Sequence, residues 1–361
     1  MDDISYMNRV LQLAKKGMGC VSPNPLVGSL IVKNDRILSE GYHAYFGGPH
    51  AERVALLQLS EQERHNATLY VNLEPCCHQG KTPPCTDLII ESKLHRVVIG
   101  TLDPNPLVHG KGIDILHKSG IQVLTDVLKN RCRKLNEPYF KYITTSKPYV
   151  TLKIAQTLDG KIATDQGYSR WITGESARRM VHRLRKEHDA ILVGAGTVIH
   201  DDPELTVRMV RGKSPKRIIL DRFLDIPLKS RVLHHPESQN TIIVTTPKVS
   251  HDKIKEIKEM GITHWSIESD SNGSIHFPTL WRNMVTEGII SVLVEGGKEV
   301  LTSFMRLGEV DRIIVCMAPI FFGEGLSVFG DLGVHTPNEA IRLKEVTWHR
   351  KGSDLMLEGR F

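Results

Sequence analysis

Residues 50–85 read HAERVALLQLSEQERHNATLYVNLEPCCHQGKTPPC, and this stretch sets the layout of the first half of the chain. HAERVALLQL (50–59) has apolar residues at helical period, ATLYVNLEP (67–75) is a strand-forming run closed by proline, and CTDLIIESK (85–93) opens another helix. Working outward, ISYMNRVLQLAKKG (4–17) predicts a helix stopping at glycine, and SPNP (22–25) is a breaker. VGSLIVKND and RILSEGYH predict a strand pair turning at Asn34-Asp35. Downstream, 95–103 reads as a strand, 112–120 as a helix, 121–127 as a strand and 129–143 as one helix. Such alternation predicts an α/β layered domain with helices covering a sheet. The polar stretch TTSKP ends it and places the boundary near 145, which separates domain 1–145 from domain 146–361.

A second α/β series follows. PYVTLKIAQTLDGKIA reads as strand, turn, strand, and ESARRMVHRLRKEHD (175–189) as a helix. AILVGAGT (190–197), KRIILD (216–221), NTIIVTT (240–246), ISVLVEGG (290–297) and DRIIVCMAP are expected strands, and SHDKIKEIKEMG and KEVLTSFMRLG expected helices. The tail VTWHRKGSDLMLEGRF predicts a hairpin turning at Lys351-Gly352.

With 361 residues, 40% apolar and 24% charged, the composition is that of a folded two-domain protein. The net charge of +6 suits anionic small molecules, and no Lys/Arg block argues for nucleic acid. No segment has the apolar length of a membrane span and the start has no signal-peptide pattern, so a cytoplasmic location is expected. Three of the six cysteines (Cys76, Cys77, Cys85) crowd together, which favours metal ligation over a disulfide framework.

His50, Cys76 and Cys85 offer one imidazole nitrogen and two thiolates. A catalytic zinc takes three protein ligands and keeps a fourth position for water, whose pKa it lowers toward neutrality. Glu52 lies two residues from His50, where it can move protons during hydrolytic deamination. Residues two apart do not share a helix face, so the metal has to sit at the helix N-terminal end. Cys85 follows Pro83-Pro84 and starts a helix, a position that favours thiolate. H-x-E followed by P-C-x-x-C is the signature of zinc-dependent base deaminases. Its first part matches fully, whereas eight residues (CHQGKTPP) separate Cys76 from Cys85 instead of two. Cys77 points away from Cys76 if the segment is extended. Two alternatives stay open: a closed four-ligand site with Cys77 or His78, which leaves Glu52 without a task, and no metal at all.

SPNPLVGSLIV, GYHAYFGGPHAE, LYVNLEPCCHQGKTPPC and TLDPNPLVHGKG resemble the deaminase half of the bifunctional riboflavin-biosynthesis deaminase/reductase family. KIAQTLDGKIA, SRWITGESAR, ILVGAGTVIHDDPELTVR and VEGG resemble its reductase half, in the family's order. The eight-residue spacer is the family's own pattern. The resemblance implies a cytidine-deaminase-like three-layer αβα domain followed by a dihydrofolate-reductase-like α/β domain. It implies hydrolysis of the 2-amino group of 2,5-diamino-6-(5-phosphoribosylamino)pyrimidin-4(3H)-one, then NADPH-dependent reduction of ribosyl to ribityl. By the same resemblance His50, Cys76 and Cys85 hold zinc, Glu52 is the proton shuttle, and Asn24, His43, His78 and Lys81 contact the pyrimidine and phosphate. Departures fall at Ser29, Cys77 and His109, and none removes a ligand.

In the second half, Gly194-Ala195-Gly196 lacks the third glycine of a dinucleotide fingerprint, because Ile199 stands there. VLVEGGKEVLTSF is a better phosphate site, a buried strand turning through glycines into a helix start. The resemblance places NADPH near Ala155, Trp171, Thr197, Asp201 and the turn Gly297, Lys298, Glu299, Val300, Leu301, Thr302 and Ser303. It places the reductase substrate near Ser169, Arg185, Leu205, Arg208 and Glu295, and Lys153 is a candidate ligand for the opened sugar. Arg185 and Arg208 suit a phosphate, which guanidinium grips as a fork. The competing reading is a tRNA-type nucleic-acid deaminase with a non-catalytic second domain. It needs a basic, aromatic surface beside the zinc, and aromatics are only 6%. Homo-oligomerisation through sheet edges is compatible with this architecture.

Overall fold

The computed structural model describes residues 2–79, 83–270 and 273–361. The chain divides into two compact units, Met1–Lys147 and Pro148–Phe361.

The first unit opens with α1 (Asp3–Ala14), capped by the Asp2 carboxylate, which accepts the Ser5 N–H at 2.8 Å. β1 (Gly28–Lys33) and β2 (Arg36–Tyr42) pair antiparallel, with Lys33 opposite Arg36. Asn34 and Asp35 between them have φ of 52° and 58°, the two left-handed residues of a tight hairpin turn. There follow α2 (Ala51–Leu56), α3 (Glu61–Arg64), β3 (Thr68–Val71), α4 (Cys85–Glu91), β4 (Arg96–Ile99), α5 (Lys111–Lys118), β5 (Gln122–Leu124), α6 (Lys129–Leu135) and α7 (Glu137–Thr145). The sheet order is β2-β1-β3-β4-β5, with β3, β4 and β5 parallel. One face buries Met7, Val10 and Leu13 of α1 on Leu30, Tyr70 and Val98. The other buries Leu56, Ile89 and Leu116, from α2, α4 and α5, on Ile31, Leu69 and Val97. The result is the three-layer αβα arrangement.

Two glycines let helices lie directly on this sheet. A Cβ on Gly28 would stand 2.4 Å from the Val10 carbonyl oxygen, and one on Gly41 2.2 Å from that of Ala51. Two structural expectations need correction here. The strand expected over 67–75 ends at Val71, so Cys76 sits on the loop beyond it. The single helix expected over 129–143 breaks at Asn136, whose side chain accepts the Leu26 N–H at 2.8 Å and donates to the Leu26 carbonyl at 3.0 Å. Pro138, in the first turn of α7, removes a further N–H from any continuous ladder.

The second unit contains β6 (Tyr149–Thr157), β7 (Lys161–Thr164), α8 (Glu175–Glu187), β8 (Ala190–Gly194), α9 (Ala195–Asp201), β9 (Lys216–Leu220), α10 (Arg231–His234), β10 (Thr241–Thr245) and α11 (His251–Glu259). It continues with β11 (Thr263–Ser266), α12 (Phe277–Thr286), β12 (Ser291–Gly296), α13 (Lys298–Arg306), β13 (Arg312–Ala318), β14 (Gly325–Ser327), β15 (Glu345–Lys351) and β16 (Asp354–Arg360). Nine strands form one sheet in the order β11-β10-β9-β8-β12-β6-β13-β16-β15. The first seven are parallel, and the β15–β16 hairpin adds two antiparallel strands at one edge. β7 and β14 make a separate antiparallel pair. Alternate residues of the strands face opposite layers: Leu192, Ile218 and Val294 meet α12 and α13, whereas Ile191, Ile219 and Ile243 meet α9, α10 and α11.

The strand expected over 190–197 stops at Gly194, and α9 begins at Ala195. The terminal turn is Gly352-Ser353, one residue later than expected, because Lys351 pairs with Asp354. β11, β14, α3 and α12 were not anticipated from the sequence. Among the described residues no helix is long and apolar enough to cross a membrane.

Candidate active sites

His50 is the residue before α2, Cys85 the first residue of α4, and Cys76 lies on the loop after β3. The helix starts and the loop converge. His50 Nδ1 lies 3.5 Å from Cys76 Sγ and 3.3 Å from Cys85 Sγ, and the Cys85 N–H points at Cys76 Sγ from 3.4 Å. Among the described residues these three form the group able to hold a metal, with ligand atoms within 4.8 Å of one another. Such separations suit a tetrahedron with arms of about 2.0–2.3 Å, the reach of zinc to nitrogen and sulfur. The donor set therefore fits zinc. The hydrogen bond with Cys85 brings the Cys76 thiol down to about 4 and pushes the Cys85 thiol up. Cys77 does not join them, since its Sγ faces the Leu107 carbonyl at 3.8 Å.

Glu52, in the first turn of α2, is 4% exposed, and burial raises its carboxyl pKa. Two hydroxyls moor this helix to the hairpin: Ser29 Oγ donates to the Ala51 carbonyl at 2.7 Å and Ser39 Oγ to that of Ala55 at 2.8 Å. Ser29 thus fixes the peptide between His50 and Glu52.

The metal group opens on a cavity of about 330 Å³, walled among others by Asn24, His43, Glu52, His78, Asp103 and Tyr139. His43 Nδ1 lies 3.0 Å from the Pro49 carbonyl, an acceptor, so this nitrogen carries the proton. Nε2 is then free to accept from Asn24 Nδ2 at 3.0 Å. Burial lowers the His43 pKa, in keeping with a neutral ring. Among the described residues the buried Nδ1 of His78 has no hydrogen-bond partner. Lys81 lies outside the described residues. His109 does not line the cavity; its Nδ1 meets the Asp103 carbonyl at 2.8 Å.

Three wall residues escaped the sequence reading. Glu74 is 3% exposed and accepts the N–H groups of Asp103, Gly110 and Gly112 at 3.1–3.2 Å. Tyr139 donates its hydroxyl to Asp103, whose carboxyl pKa burial raises to about 6. An acid ending an apolar strand next to Pro75 was the available signal for Glu74.

The second unit carries two adjoining cavities, of about 700 and 540 Å³, which share Ile162, Ser169, Thr197, Asp201 and Gly297. The larger is lined by the starts of α9 and α13 and by Arg222 and Phe223. Thr197 Oγ1 accepts the Gly297 N–H at 3.1 Å and ties the two helix starts together. Lys298, Glu299, Val300 and Ser303 line this cavity, whereas Thr302 lines neither and is bonded to the Lys298 carbonyl. The helix start of α13 presents unpaired N–H groups suited to phosphate.

The smaller cavity is lined by Lys153, Ala155, Trp171, Arg185, Leu205, Arg208, Glu295 and Leu301. Arg185 bonds both oxygens of Glu295, and Lys153 Nζ stands 3.7 Å from the same carboxylate. Burial pushes the Glu295 pKa up, yet the Arg185 and Lys153 charges prevail and hold it at about 2. The phosphate fork expected of Arg185 is therefore filled by Glu295. Arg208 is half-exposed and spends one nitrogen on Glu204 at 3.3 Å, which leaves donors for an anion.

Residues 1–101 match the family described as the cytidine and deoxycytidylate deaminase zinc-binding region, and residues 148–357 match the RibD C-terminal domain. The chain is 46% identical to the riboflavin biosynthesis protein RibD of Aquifex aeolicus over 98% of its own length and 97% of the relative's. Identity to the protein of the same name in Actinobacillus pleuropneumoniae is 42%, covering 99% and 95%. In structure it resembles Acinetobacter baumannii RibD, with TM-score 0.88 and 35% identity over 99% and 98% of the two chains. It also resembles a Thermotoga maritima diaminohydroxyphosphoribosylaminopyrimidine deaminase/5-amino-6-(5-phosphoribosylamino)uracil reductase, with TM-score 0.86 and 41% identity over 99% and 98%.

Proposed function

Because this chain belongs to the RibD family of riboflavin-biosynthesis deaminase/reductases, we propose that it performs two successive reactions on one phosphoribosylated pyrimidine, each in its own unit. The observation that carries the reading is the His50, Cys76 and Cys85 group with buried Glu52 in the wall of one cavity. In the first reaction, water replaces the 2-amino group of 2,5-diamino-6-(5-phosphoribosylamino)pyrimidin-4(3H)-one and ammonia leaves. His50 Nδ1, Cys76 Sγ and Cys85 Sγ would hold zinc, which when bound would supply a water acidic enough to react near pH 7. Glu52 would take a proton from the attacking water and pass it to the adjacent ring nitrogen, then carry the proton of the new hydroxyl to the amine, which leaves as ammonia while the ring carbon becomes a carbonyl. Burial raises its carboxyl pKa, which suits a group that has to hold and release a proton. Asn24 and His43 would meet the pyrimidine edge, and His78 Nδ1 offers a buried nitrogen that has no partner among the described residues. Lys81 is assigned to phosphate.

In the second reaction the opened ribosyl chain of the deaminated product gains a hydride at C1′ and a proton, and becomes ribityl. Hydride is what NADPH supplies when bound. The larger cavity, with the start of α13 and the Thr197–Gly297 bond, holds the cofactor. Ala155 and Trp171, which line the smaller cavity, would contact the cofactor there. Lys153 and Glu295 face the sugar, Leu205 and Ser169 hold its flank, and Arg208 takes the phosphate. Partners are small phosphorylated molecules, and the location is the cytoplasm.

The test is a mass-spectrometric time course of zinc-loaded protein with the phosphoribosylated diaminopyrimidinone. Deaminated product without NADPH, and its ribityl form only with NADPH, are the expected outcomes. No deamination by zinc-loaded protein would overturn the first assignment, and deamination that never proceeds to reduction the second.

A further inference from the structure

Arg217 on β9 is 1% exposed and lies on the sheet face of Ile219, above the layer of α9, α10 and α11. Among the described residues no carboxylate forms an ion pair with it. One terminal nitrogen donates to the Glu204 carbonyl at 3.4 Å, the other to the Glu237 carbonyl, and Nε has no partner among the described residues. The Arg217 hydrogen bonds go to carbonyl oxygens and the Glu237 carboxylate acts on it only through space, and a guanidinium desolvated without a contact ion pair lowers stability. What it holds is therefore informative.

Glu204 belongs to the segment 202–208, which is secured at almost every residue. Asp202 Oδ1 accepts the Arg231 N–H at 2.8 Å, and the Thr206 carbonyl accepts from Arg185 at 3.1 Å. The Val207 N–H donates to Ser214 Oγ and the Arg208 N–H to His182 Nδ1, both at 3.2 Å. Asp202 and Leu205 have φ of 39° and 56°, in the left-handed region that disfavours side chains. Leu205 is 2% exposed, and it and Arg208 form part of the smaller cavity's wall. A strained backbone of this kind persists only where its surroundings over-determine it.

We propose that Arg217 is a positioning residue for the reductase substrate: by gripping the Glu204 carbonyl it fixes the 202–208 segment and so aims Arg208 at the phosphate. This rests on the reading of the smaller cavity as the substrate site.

The test compares wild type with Arg217→Met and Arg217→Lys, supplied with 5-amino-6-(5-phosphoribosylamino)uracil and NADPH. Arg217→Met fills the space and removes the desolvated charge, which offsets the loss of a donor by two carbonyls, so its Tm is expected to stay close to that of wild type. Its KM for the pyrimidine is expected to rise about tenfold, the size of one charged hydrogen bond lost. NADPH affinity, read by cofactor fluorescence, stays within about twofold. Arg217→Lys can reach one carbonyl and restores part of the KM, and it carries the test alone if Arg217→Met does not fold. In an Arg208→Ala background the Arg217→Met effect shrinks below about twofold, since both act on one contact. An unchanged KM in folded Arg217→Met overturns the proposal. So does a joint fall of Tm and both affinities, or full additivity with Arg208→Ala. A wild-type protein that does not reduce this substrate at all refutes the cavity's assignment instead.

Discussion

Arg185 sets Nε and one terminal nitrogen against the two oxygens of Glu295, at 2.6 and 2.9 Å, where the two side chains are 12% and 7% exposed. Such a pair adds little net stability, because both charges leave water, but removing one partner strands the other. Glu295→Ala is therefore expected to destabilise the second unit by about 3–5 kcal/mol. Urea denaturation of both proteins reads this directly, and a loss under about 1 kcal/mol would show that water reaches Arg185.

Glu52→Gln keeps the shape of the side chain and the three ligands while removing its ability to take a proton. Zinc content by elemental analysis is expected to match wild type, and deamination to fall by about 10²–10⁴-fold. Normal turnover in the zinc-loaded variant would assign the proton transfers elsewhere.

Cys85→Ser removes a ligand at the start of α4. It is expected to lose zinc and to lower the melting temperature of the first unit, since metal binding is coupled to its folding. Reduction of separately supplied deaminated substrate should continue near the wild-type rate, because that cavity is lined by residues 153–301. Loss of both activities together would contradict the assignment of one reaction to each unit.

His188, at the end of α8, donates from Nδ1 to the Leu184 carbonyl at 2.7 Å and accepts at Nε2 from the Thr151 hydroxyl at 2.9 Å. Burial lowers its pKa from 6.5 to about 4. With the folded value below the unfolded one, the unfolded chain binds more protons between these limits. Stability contributed by the neutral ring is complete above pH 6.5 and declines toward pH 4, by an amount on the order of 3 kcal/mol. Denaturation of the second unit from pH 7 to 4 should show this decline, and His188→Gln should flatten it. An equally steep decline in the variant would move the effect to other groups.

Gly41→Ala would drive a methyl group against the Ala51 carbonyl, where an added Cβ comes within 2.2 Å. Overpacking of this kind costs about 1–3 kcal/mol, and here it also lifts the peptide between His50 and Glu52. Deamination should fall more than zinc content does; a variant with wild-type melting and turnover would mean that α2 shifts freely on the hairpin.

The cluster of His50, Cys76 and Cys85 was legible because metal chemistry restricts residue type and spacing, and His50-x-Glu52 has few other uses. The Asn34-Asp35 turn was legible for a similar reason, since few residues tolerate two successive positive φ values. The break at Asn136 was not, because its cause is Leu26, 110 residues away. Pro138 nevertheless gave a local warning. The α12 pattern Phe277, Leu280, Trp281 and Met284 has helical spacing and could have been read. β11 is only THWS and owes its pairing to β10 rather than to its own propensity. Glu295 and Arg185 stand 110 residues apart, and nothing in either local sequence says that one cancels the other.

The seven parallel strands of the second unit end along one edge, and the segments that follow β8 and β12 supply the walls of both cavities there. The hydrophobic layers are made by the strand bodies and the outer helices, whereas much of the cavity wall comes from segments beyond the strand ends, with Lys153, Arg185 and Glu295 added by β6, α8 and β12 themselves. An edge segment such as 202–208 can therefore be exchanged while the hydrophobic layers stay as they are, provided that its replacement still offers carbonyls to Arg185 and Arg217.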